Sequence, residues 1–256
     1  MQILAVTGTK QNKGEFMKRK PVIGIIPTFN KDYPNFDPYL DITYFVRLYA
    51  DKIEECGGIP IGITTTNPSN YTSICDGYLW PGGYKVNHDY YPLIEDAIKN
   101  KKPFLGICLG SQAMSIYFNM LEDSLKHPGK LLKDVYDINK VDNPYLVKVA
   151  DSEFHKRQVR RDSKIVNAAK HEVEIIDKDS FIYNIYKSDK INMVSLHTSC
   201  INRVPKDLKI TAKYQEVIEA IEYHKDGSKI LGVQFHPEIL DDTKIFEWLI
   251  NNCNKE

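Results

Sequence analysis

The sequence predicts an α/β fold, a three-layer α/β/α sandwich whose central sheet is mostly parallel, with extra antiparallel strands in the second half. Two observations support this prediction. In the first half, short apolar runs alternate with segments whose apolar residues have helical spacing, which is the order that parallel sheets require. In the second half, apolar runs of strand length follow one another closely. We find no internal repeat and no low-complexity linker.

The first half alternates predicted strands with predicted helices. The first helix carries apolar side chains at Ile42, Phe45, Leu48, Tyr49, Ile53 and Cys56, and Gly57-Gly58 ends it. The strands are "VIGIIP" (22–27), "IPIGI" (59–63), "GYLW" (77–80) and "PFLGI" (103–107), and the helices cover residues 42–56, residues 91–101 and a segment that begins at Leu109.

The second half is predicted to contain strands at residues 171–176, 191–196, 208–214, 217–223 and 229–235. A terminal helix follows in "DDTKIFEWLINNC", and Asp241 or Asp242 is its predicted cap. Between the halves, residues 122–170 are rich in charge. Acidic residues dilute the basic run "HKRQVRRDSK" (155–164), so we interpret it as a solvated loop rather than a binding patch.

The bulk composition excludes several classes of function. Lysine plus arginine equals aspartate plus glutamate, 34 each in 256 residues, which argues against nucleic-acid or membrane-surface partners. The five cysteines include no CxxC pair, so zinc and dithiol motifs are disfavoured, and an odd number of thiols suggests a reducing cytoplasm. We expect residues 1–20 to be disordered or an extension, with Met17 as an alternative start.

Cys108 is the first candidate nucleophile. In "FLGICLGSQ" (104–112) it follows a predicted strand, precedes a predicted helix and lies between Gly106 and Gly110. This is the cysteine counterpart of the nucleophile elbow, in which small neighbours allow a sharp turn to pack closely. The helix N-terminus would favour an anionic sulfur, and the Leu109 amide would face an oxyanion. The alternative is a buried structural cysteine between incidental glycines.

His236 is the candidate base. It ends the last predicted strand in "GVQFHPE", and Glu238 lies two residues further on. At the exit of a parallel strand, His236 would share the carboxyl edge of the sheet with Cys108. Pro237 breaks the strand, so that Glu238 can turn back and orient the imidazole.

The stretch "LWPGGYK" (79–85) supplies a third piece at the same edge. The Gly82 or Gly83 amide, together with that of Leu109, would form an oxyanion hole. An ordinary Gly-Gly turn is the alternative. The spacing does not match a phosphate-binding P-loop.

"PGG", "GICLGSQ" and "GVQFHPE" together resemble the class I glutamine amidotransferase-like superfamily. "KPVIGIIP", "YADKIEECGGIPIGI", "KHEVEII", "VSLHTS" and "EAIEY" resemble its γ-glutamyl hydrolase branch, the peptidase C26 group, which includes γ-glutamyl-γ-aminobutyrate hydrolase. The resemblance spans about residues 20–252 and implies a single flavodoxin-like domain over residues 21–256. It implies no cofactor and no metal, and it suggests a homodimer.

The resemblance also implies roles for individual residues. Cys108, His236 and Glu238 would form a catalytic triad, with Gly83 and Leu109 as the oxyanion hole and a γ-glutamyl thioester on Cys108. The implied substrate contacts are Gly82, Gln112, Ser195 and His197. For His197, a structural loop histidine is an equal alternative.

Two departures from the family pattern leave the amine side of the substrate open. The family motif V-N-S-x-H-H-Q here ends in Thr198-Ser199, and Leu109 stands where the polyamine-pathway enzymes usually carry arginine. The leading hypothesis is a cysteine hydrolase of a small γ-glutamyl amide. The alternatives are a glutaminase subunit that supplies ammonia to a separate synthase, and a non-catalytic small-molecule binder.

Overall fold

The computed structural model describes residues 19–28, 43–64, 67–83, 86–126, 144–149, 158–159, 165–167 and 169–253. Residues 1–18 of the expected N-terminal extension and most of the charged segment 122–170 lie outside these residues, whereas Arg19 is described and pairs with Asp76 at 2.7 Å. No helix in the described ranges is both long enough and apolar enough to cross a membrane.

Helices and strands alternate through the first half, and strands predominate later. The strands are β1 (Val22–Ile25), β2 (Ile59–Gly62), β3 (Gly77–Trp80), β4 (Phe104–Ile107), β5 (Leu146–Lys148), β6 (Gln158–Val159), β7 (Ile165–Asn167), β8 (Ala169–Ile175), β9 (Lys190–Ser195), β10 (Ser199–Ile201), β11 (Lys209–Tyr214), β12 (Val217–Tyr223) and β13 (Ile230–Val233). The α-helices are α1 (Arg47–Glu55), α2 (Tyr91–Asn100), α3 (Leu109–Ser124), α4 (Phe181–Tyr186) and α5 (Lys244–Asn251).

The central sheet has nine strands in the order β2-β1-β3-β4-β13-β12-β11-β8-β9. Neighbours from β2 to β13 are parallel, and neighbours from β13 to β9 are antiparallel. The two-part sheet confirms the predicted fold class, with the parallel strands in one half and the antiparallel strands in the other.

Helices cover both faces of the parallel half, so β3, β4 and β13 are buried along their whole length. On one face, Tyr49 and Ile53 of α1 and Phe246 and Leu249 of α5 join a common apolar cluster. On the other face, α2 and α3 supply a second cluster, which includes Leu93, Ile94, Ala113 and Ile116. Strands covered on both sides read as continuous apolar runs, which explains why the sequence located them.

Two predicted boundaries were wrong. Helix α1 begins at Arg47 rather than at residue 42, because Tyr44 forms a bridge with Thr28, whose N–H donates to the Tyr44 carbonyl at 3.0 Å. Phe45 lies before the helix and Leu48 lies within it, and they are 37% and 38% exposed.

The N-cap position of helix α5 is Thr243 rather than Asp241 or Asp242, and the Thr243 side chain makes no capping hydrogen bond. The Asp242 carboxylate still accepts the Lys244 N–H at 3.0 Å, and it therefore satisfies one free amide of the first turn.

Several short elements were not predicted. β10 pairs with β5, and β6, which lies inside the segment interpreted as a loop, pairs with β7 just after that segment. Helix α4 is supported from a distant strand, since the Glu222 carboxylate accepts the N–H groups of Phe181 at 2.7 Å and Ile182 at 2.9 Å. The missed strands have two or three residues each and the missed helix has six, fewer than two helical turns, so none of them carries a recognisable periodicity.

Candidate active site

Three adjacent parallel strands end at one edge of the sheet, and each exit carries a predicted site residue. β3, β4 and β13 are consecutive neighbours in the sheet. Gly82 and Gly83 follow β3, Cys108 follows β4, and His236 follows β13. The carboxyl ends of parallel strands are where such folds bind ligands.

Cys108 lies on a strained turn. Its backbone angles are φ 51° and ψ −103°, a positive φ that non-glycine residues rarely adopt, and it is the N-cap of α3. Its N–H donates to the Val233 carbonyl at 2.7 Å, which ties the turn to β13. Backbone strain of this kind persists only where surrounding contacts over-determine it.

The glycines beside Cys108 are required by close approach rather than by a positive φ. A Cβ on Gly110 would lie 2.0 Å from the Trp80 carbonyl oxygen, so α3 packs directly on the exit of β3. A Cβ on Gly106 would lie 2.7 Å from the Gly110 carbonyl carbon. A larger residue at either position would push the turn away from its neighbouring strand.

His236 and Glu238 form a buried pair, 7% and 5% exposed. Glu238 Oε1 lies 2.6 Å from His236 Nδ1, and Glu238 sits in a short 3-10 helix over Pro237–Ile239. Burial alone would lower the pKa of His236, but the charges of Glu238 and Cys108 raise it to about 10. The ring is therefore an imidazolium at neutral pH.

Gly82 marks the point at which the Cys108 and His236 side chains meet. A Cβ on Gly82 would lie 2.9 Å from His236 Cε1 and 3.4 Å from Cys108 Cβ. His236 Nε2 is buried and has no hydrogen-bond partner among the described residues. The thiol, the outer ring nitrogen and the glycine turn thus share one small space.

Gly83, one of the two predicted oxyanion donors, lies beside the side chain of the other, Leu109. A Cβ on Gly83 would lie 3.1 Å from Leu109 Cδ2. Among the residues that the structure describes, neither the Gly83 N–H nor the Leu109 N–H donates to a protein acceptor. Both amides have donor capacity for a ligand, and their role as an oxyanion hole stays a prediction.

The predicted substrate contacts differ in how they are placed. Gln112 is 5% exposed, and its Nε2 donates to the Ser199 carbonyl at 2.8 Å and to Gln234 Oε1 at 3.0 Å. Ser195 is fully buried, and its Oγ has no hydrogen-bond partner in the described part of the chain. His197 Nδ1 lies 3.0 Å from the same Ser199 carbonyl.

His197 also belongs to a second buried cluster, which the sequence did not reveal. Glu219 is fully buried, and its Oε1 lies 3.0 Å from His171 Nε2 and 3.9 Å from His197 Nε2. Burial would raise the pKa of Glu219, but hydrogen bonds and charge from both histidines lower it. No local signal marks this cluster, because its members lie on separated strands and a loop.

Tyr49 is the other site residue that the sequence missed. Its hydroxyl donates to Glu238 Oε1 at 2.8 Å and accepts the Gly82 N–H at 3.2 Å. The sequence identified Tyr49 only as an inward position of α1, since helical spacing shows burial but not the polar partner of a buried hydroxyl. In the described residues, no group of three or more His, Cys, Asp or Glu side chains is arranged to hold a metal ion.

Comparisons with known proteins show which family the chain resembles. The sequence profile of Peptidase C26 matches residues 88–238. A glutamine amidotransferase-like protein of Rickettsia prowazekii is 28% identical over 90% of this chain and 95% of its own length. A Schizosaccharomyces pombe protein that is also named a glutamine amidotransferase is 28% identical over 79% of this chain and 80% of its own.

Among solved structures, the chain is similar to the glutaminase domain of Trypanosoma brucei CTPS with bound acivicin. The TM-score is 0.62, the identity is 18%, and the alignment covers 91% of this chain and 93% of that one. At this identity the likeness supports the fold alone.

Proposed function

The chain belongs to the peptidase C26 family, and from this premise we propose that it is a cysteine hydrolase that cleaves the γ-glutamyl amide bond of a small molecule. The family and its glutamine amidotransferase-like relatives support a cysteine-based amidohydrolase or glutaminase-type activity. The proposal of a γ-glutamyl hydrolase rests on the strained Cys108 turn, which lies beside the His236–Glu238 pair. The Nδ1–Oε1 distance of that pair is 2.6 Å.

The first half of the proposed reaction forms a thioester. An imidazolium at His236 favours the anionic sulfur of Cys108, which attacks the γ-carbonyl carbon of the substrate. The negative charge that develops on the carbonyl oxygen faces the N–H groups of Gly83 and Leu109. His236 then gives its proton to the leaving amine as the C–N bond breaks.

The second half hydrolyses that thioester. His236, now neutral, takes a proton from water, and the hydroxide equivalent attacks the thioester carbon. The C–S bond breaks, glutamate leaves, and the thiolate and imidazolium are restored. Glu238 holds the ring through Nδ1 in both steps, so Nε2 stays directed to the reacting atoms.

A second candidate is a glutaminase that supplies ammonia to a separate synthase. The similarity to a Clostridium kluyveri CTP synthase, 28% identical over 69% of this chain and 33% of its own length, favours it. The chemistry at Cys108 would be the same, and only the leaving group, ammonia, would differ.

A screen of γ-glutamyl amides tests the proposal. The set contains the amides of γ-aminobutyrate, polyamines, amino acids and ethanolamine, together with glutamine, and glutamate release is measured. We expect turnover of at least one amide other than glutamine, and its loss in Cys108→Ala. Turnover of glutamine alone, stimulated by cell extract, would favour the ammonia donor.

Turnover that survives Cys108→Ala would exclude Cys108 as nucleophile. A thiol-reactive glutamine analogue provides a check that needs no turnover, since it should label Cys108 in the native protein. Absence of both label and turnover would favour the non-catalytic binder.

A further inference from the structure

We propose that Tyr49 is a positioning residue that holds the carboxylate of Glu238 and the Gly82–Gly83 turn in a single arrangement, so that the imidazole and the oxyanion amides face the same reacting carbon. The inference rests on the proposed function, because it assigns Tyr49 a role in that reaction. Tyr49 does not touch the reacting atoms and acts through Glu238 and Gly82.

One hydroxyl connects two parts of the site that are distant in sequence. Tyr49 lies on α1, 2% exposed, 33 residues before Gly82 and 189 before Glu238. Its Oη donates to Glu238 Oε1 at 2.8 Å and accepts the Gly82 N–H at 3.2 Å. A hydroxyl has one proton to donate, so the direction of both bonds is fixed.

The charge state of Tyr49 supports the same direction. Burial and the charge of Glu238 raise the pKa of Tyr49 well above its usual value. The phenol therefore stays protonated throughout the physiological range and donates to the carboxylate continuously.

The carboxylate is held through one oxygen. Glu238 Oε1 accepts from both Tyr49 Oη and His236 Nδ1, whereas Oε2 is buried and has no hydrogen-bond partner in the described part of the chain. Two donors on one oxygen set the rotation of the carboxylate, and that rotation sets the plane of the ring. Without the hydroxyl, the imidazole alone would orient Glu238.

The second bond acts on the oxyanion side. Gly82 directly precedes Gly83, and its N–H is engaged by Tyr49, which leaves the Gly83 N–H as the donor that the turn presents. A loss of the hydroxyl would leave the Gly82 N–H without its acceptor and free the peptide to rotate. Removal of this one oxygen atom would therefore misalign both the His236–Glu238 pair and the amides of the proposed oxyanion hole.

Tyr49→Phe keeps the ring and removes only that oxygen. Tyr78→Phe is the matched control, because Tyr78 is fully buried and its Oη also donates to a carboxylate, Asp96 Oδ2, at 2.5 Å. That second pair lies away from Cys108, between β3 and α2. Both changes remove a hydrogen bond from a buried tyrosine to a carboxylate, but only the bond of Tyr49 reaches the site.

We expect Tyr49→Phe to lower kcat about 10-fold to 100-fold with little change in KM, since misplacement of about 1 Å costs rate rather than binding. Tyr78→Phe should lower the melting temperature and leave kcat unchanged. The substrate is the amide with the highest turnover in the screen, and rates are compared where all variants are folded.

The titration of His236 gives a second readout that does not need turnover. It is followed by NMR of ¹³C-labelled histidine, with His236→Asn to assign the signal. If Tyr49 positions Glu238, the phenylalanine variant should lower the pKa of His236 from about 10, because the imidazolium loses part of its carboxylate partner. If instead the Tyr49 hydroxyl did not position Glu238 and only withdrew negative charge from its carboxylate, the phenylalanine variant would leave more charge on that carboxylate. The pKa of His236 would then rise.

An unchanged kcat together with an unchanged or raised His236 pKa in Tyr49→Phe would overturn the inference, as would an equal fall of kcat in Tyr78→Phe. A wild-type protein that hydrolyses no amide would refute the proposed function instead. In that case the histidine titration would still decide whether Tyr49 positions Glu238.

Discussion

Each half of the central sheet contains a buried histidine–glutamate pair. In the parallel half, His236 and Glu238 lie after the exit of β13, with Nδ1 and Oε1 2.6 Å apart. In the antiparallel half, Glu219 lies within β12, 3.0 Å from His171 on β8. The pairs have the same chemical groups but different surroundings.

The two pairs differ in the groups that contact each imidazole on the side away from its glutamate. Past His236 come the Cys108 thiol and the turn at Gly82. Past His171 lies the Tyr214 ring, with ring centroids 4.1 Å apart. A histidine–glutamate pair thus becomes a candidate reaction centre where strands end and backbone amides are free. Within the sheet, by contrast, the backbone amides are used in hydrogen bonds between strands, and packed side chains surround the imidazole of His171.

The cluster around Glu219 is connected to helix α3 of the candidate site through His197. His197, 3.9 Å from Glu219, also contacts the Ser199 carbonyl, which accepts the Gln112 side chain. Gln112 lies on the first turns of α3, behind Cys108. The segment from His197 to Ser199 therefore connects Glu219 in the antiparallel half to Gln112 on α3, the helix that begins directly after Cys108.

The largest expected difference between the pairs is in catalysis. His236→Asn should lower kcat by about 10²-fold to 10⁴-fold, the usual contribution of general acid–base catalysis. His171→Asn should leave kcat per folded molecule unchanged and lower the free energy of unfolding by about 1–3 kcal/mol, because Glu219 loses a buried partner.

Steady-state kinetics and urea unfolding of both variants measure this contrast. Equal losses of kcat would show that the two pairs do not differ in function. A His236→Asn variant that keeps its full rate would contradict the proposed mechanism.

A smaller difference is expected in thiol reactivity. Cys200, on β10, is 5% exposed, and burial together with the charge of Glu219 raises its pKa to about 11. Cys108 lies beside an imidazolium instead. Iodoacetamide at pH 7.5 should therefore alkylate Cys108 at least about 10-fold faster than Cys200, measured by peptide mapping.

In urea the two thiols should react alike, which serves as the control. A native rate at Cys108 no higher than that at Cys200 would be evidence against Cys108 as the nucleophile.

The last difference concerns how the stability that each pair contributes changes with pH. The pKa of His236 is raised from 6.5 to about 10, so its contribution is complete below about pH 6.5 and is lost as the pH rises through 10. The pKa of Glu219 is lowered from 4.5, so its contribution is present above pH 4.5 and is lost as the pH falls.

Urea unfolding from pH 3 to pH 10 separates these windows. Compared with the wild type, His236→Asn should lose less stability between pH 7 and 10, and Glu219→Gln should lose less between pH 5 and 3. Parallel curves for all three proteins would mean that neither pair has the assigned pKa shift.

The sequence predicted much of the parallel half and less of the antiparallel half. The exits of β3, β4 and β13 could be located because apolar runs, glycines and Pro237 mark them locally. Cys108, His236 and Glu238 followed from those exits. The two-residue and three-residue strands and helix α4 could not be located, because each depends on partners elsewhere in the chain.

By itself, the sequence determined the fold class, the family and the residues at the strand exits, since these depend on local patterns of hydrophobicity, glycine and motif spacing. Only the tertiary structure decided that Tyr49 connects Gly82 to Glu238 and that Glu219 lies between His171 and His197. The physical reason is that a buried polar group must find a partner, and the partner is chosen by packing across the whole chain rather than by its neighbours in sequence.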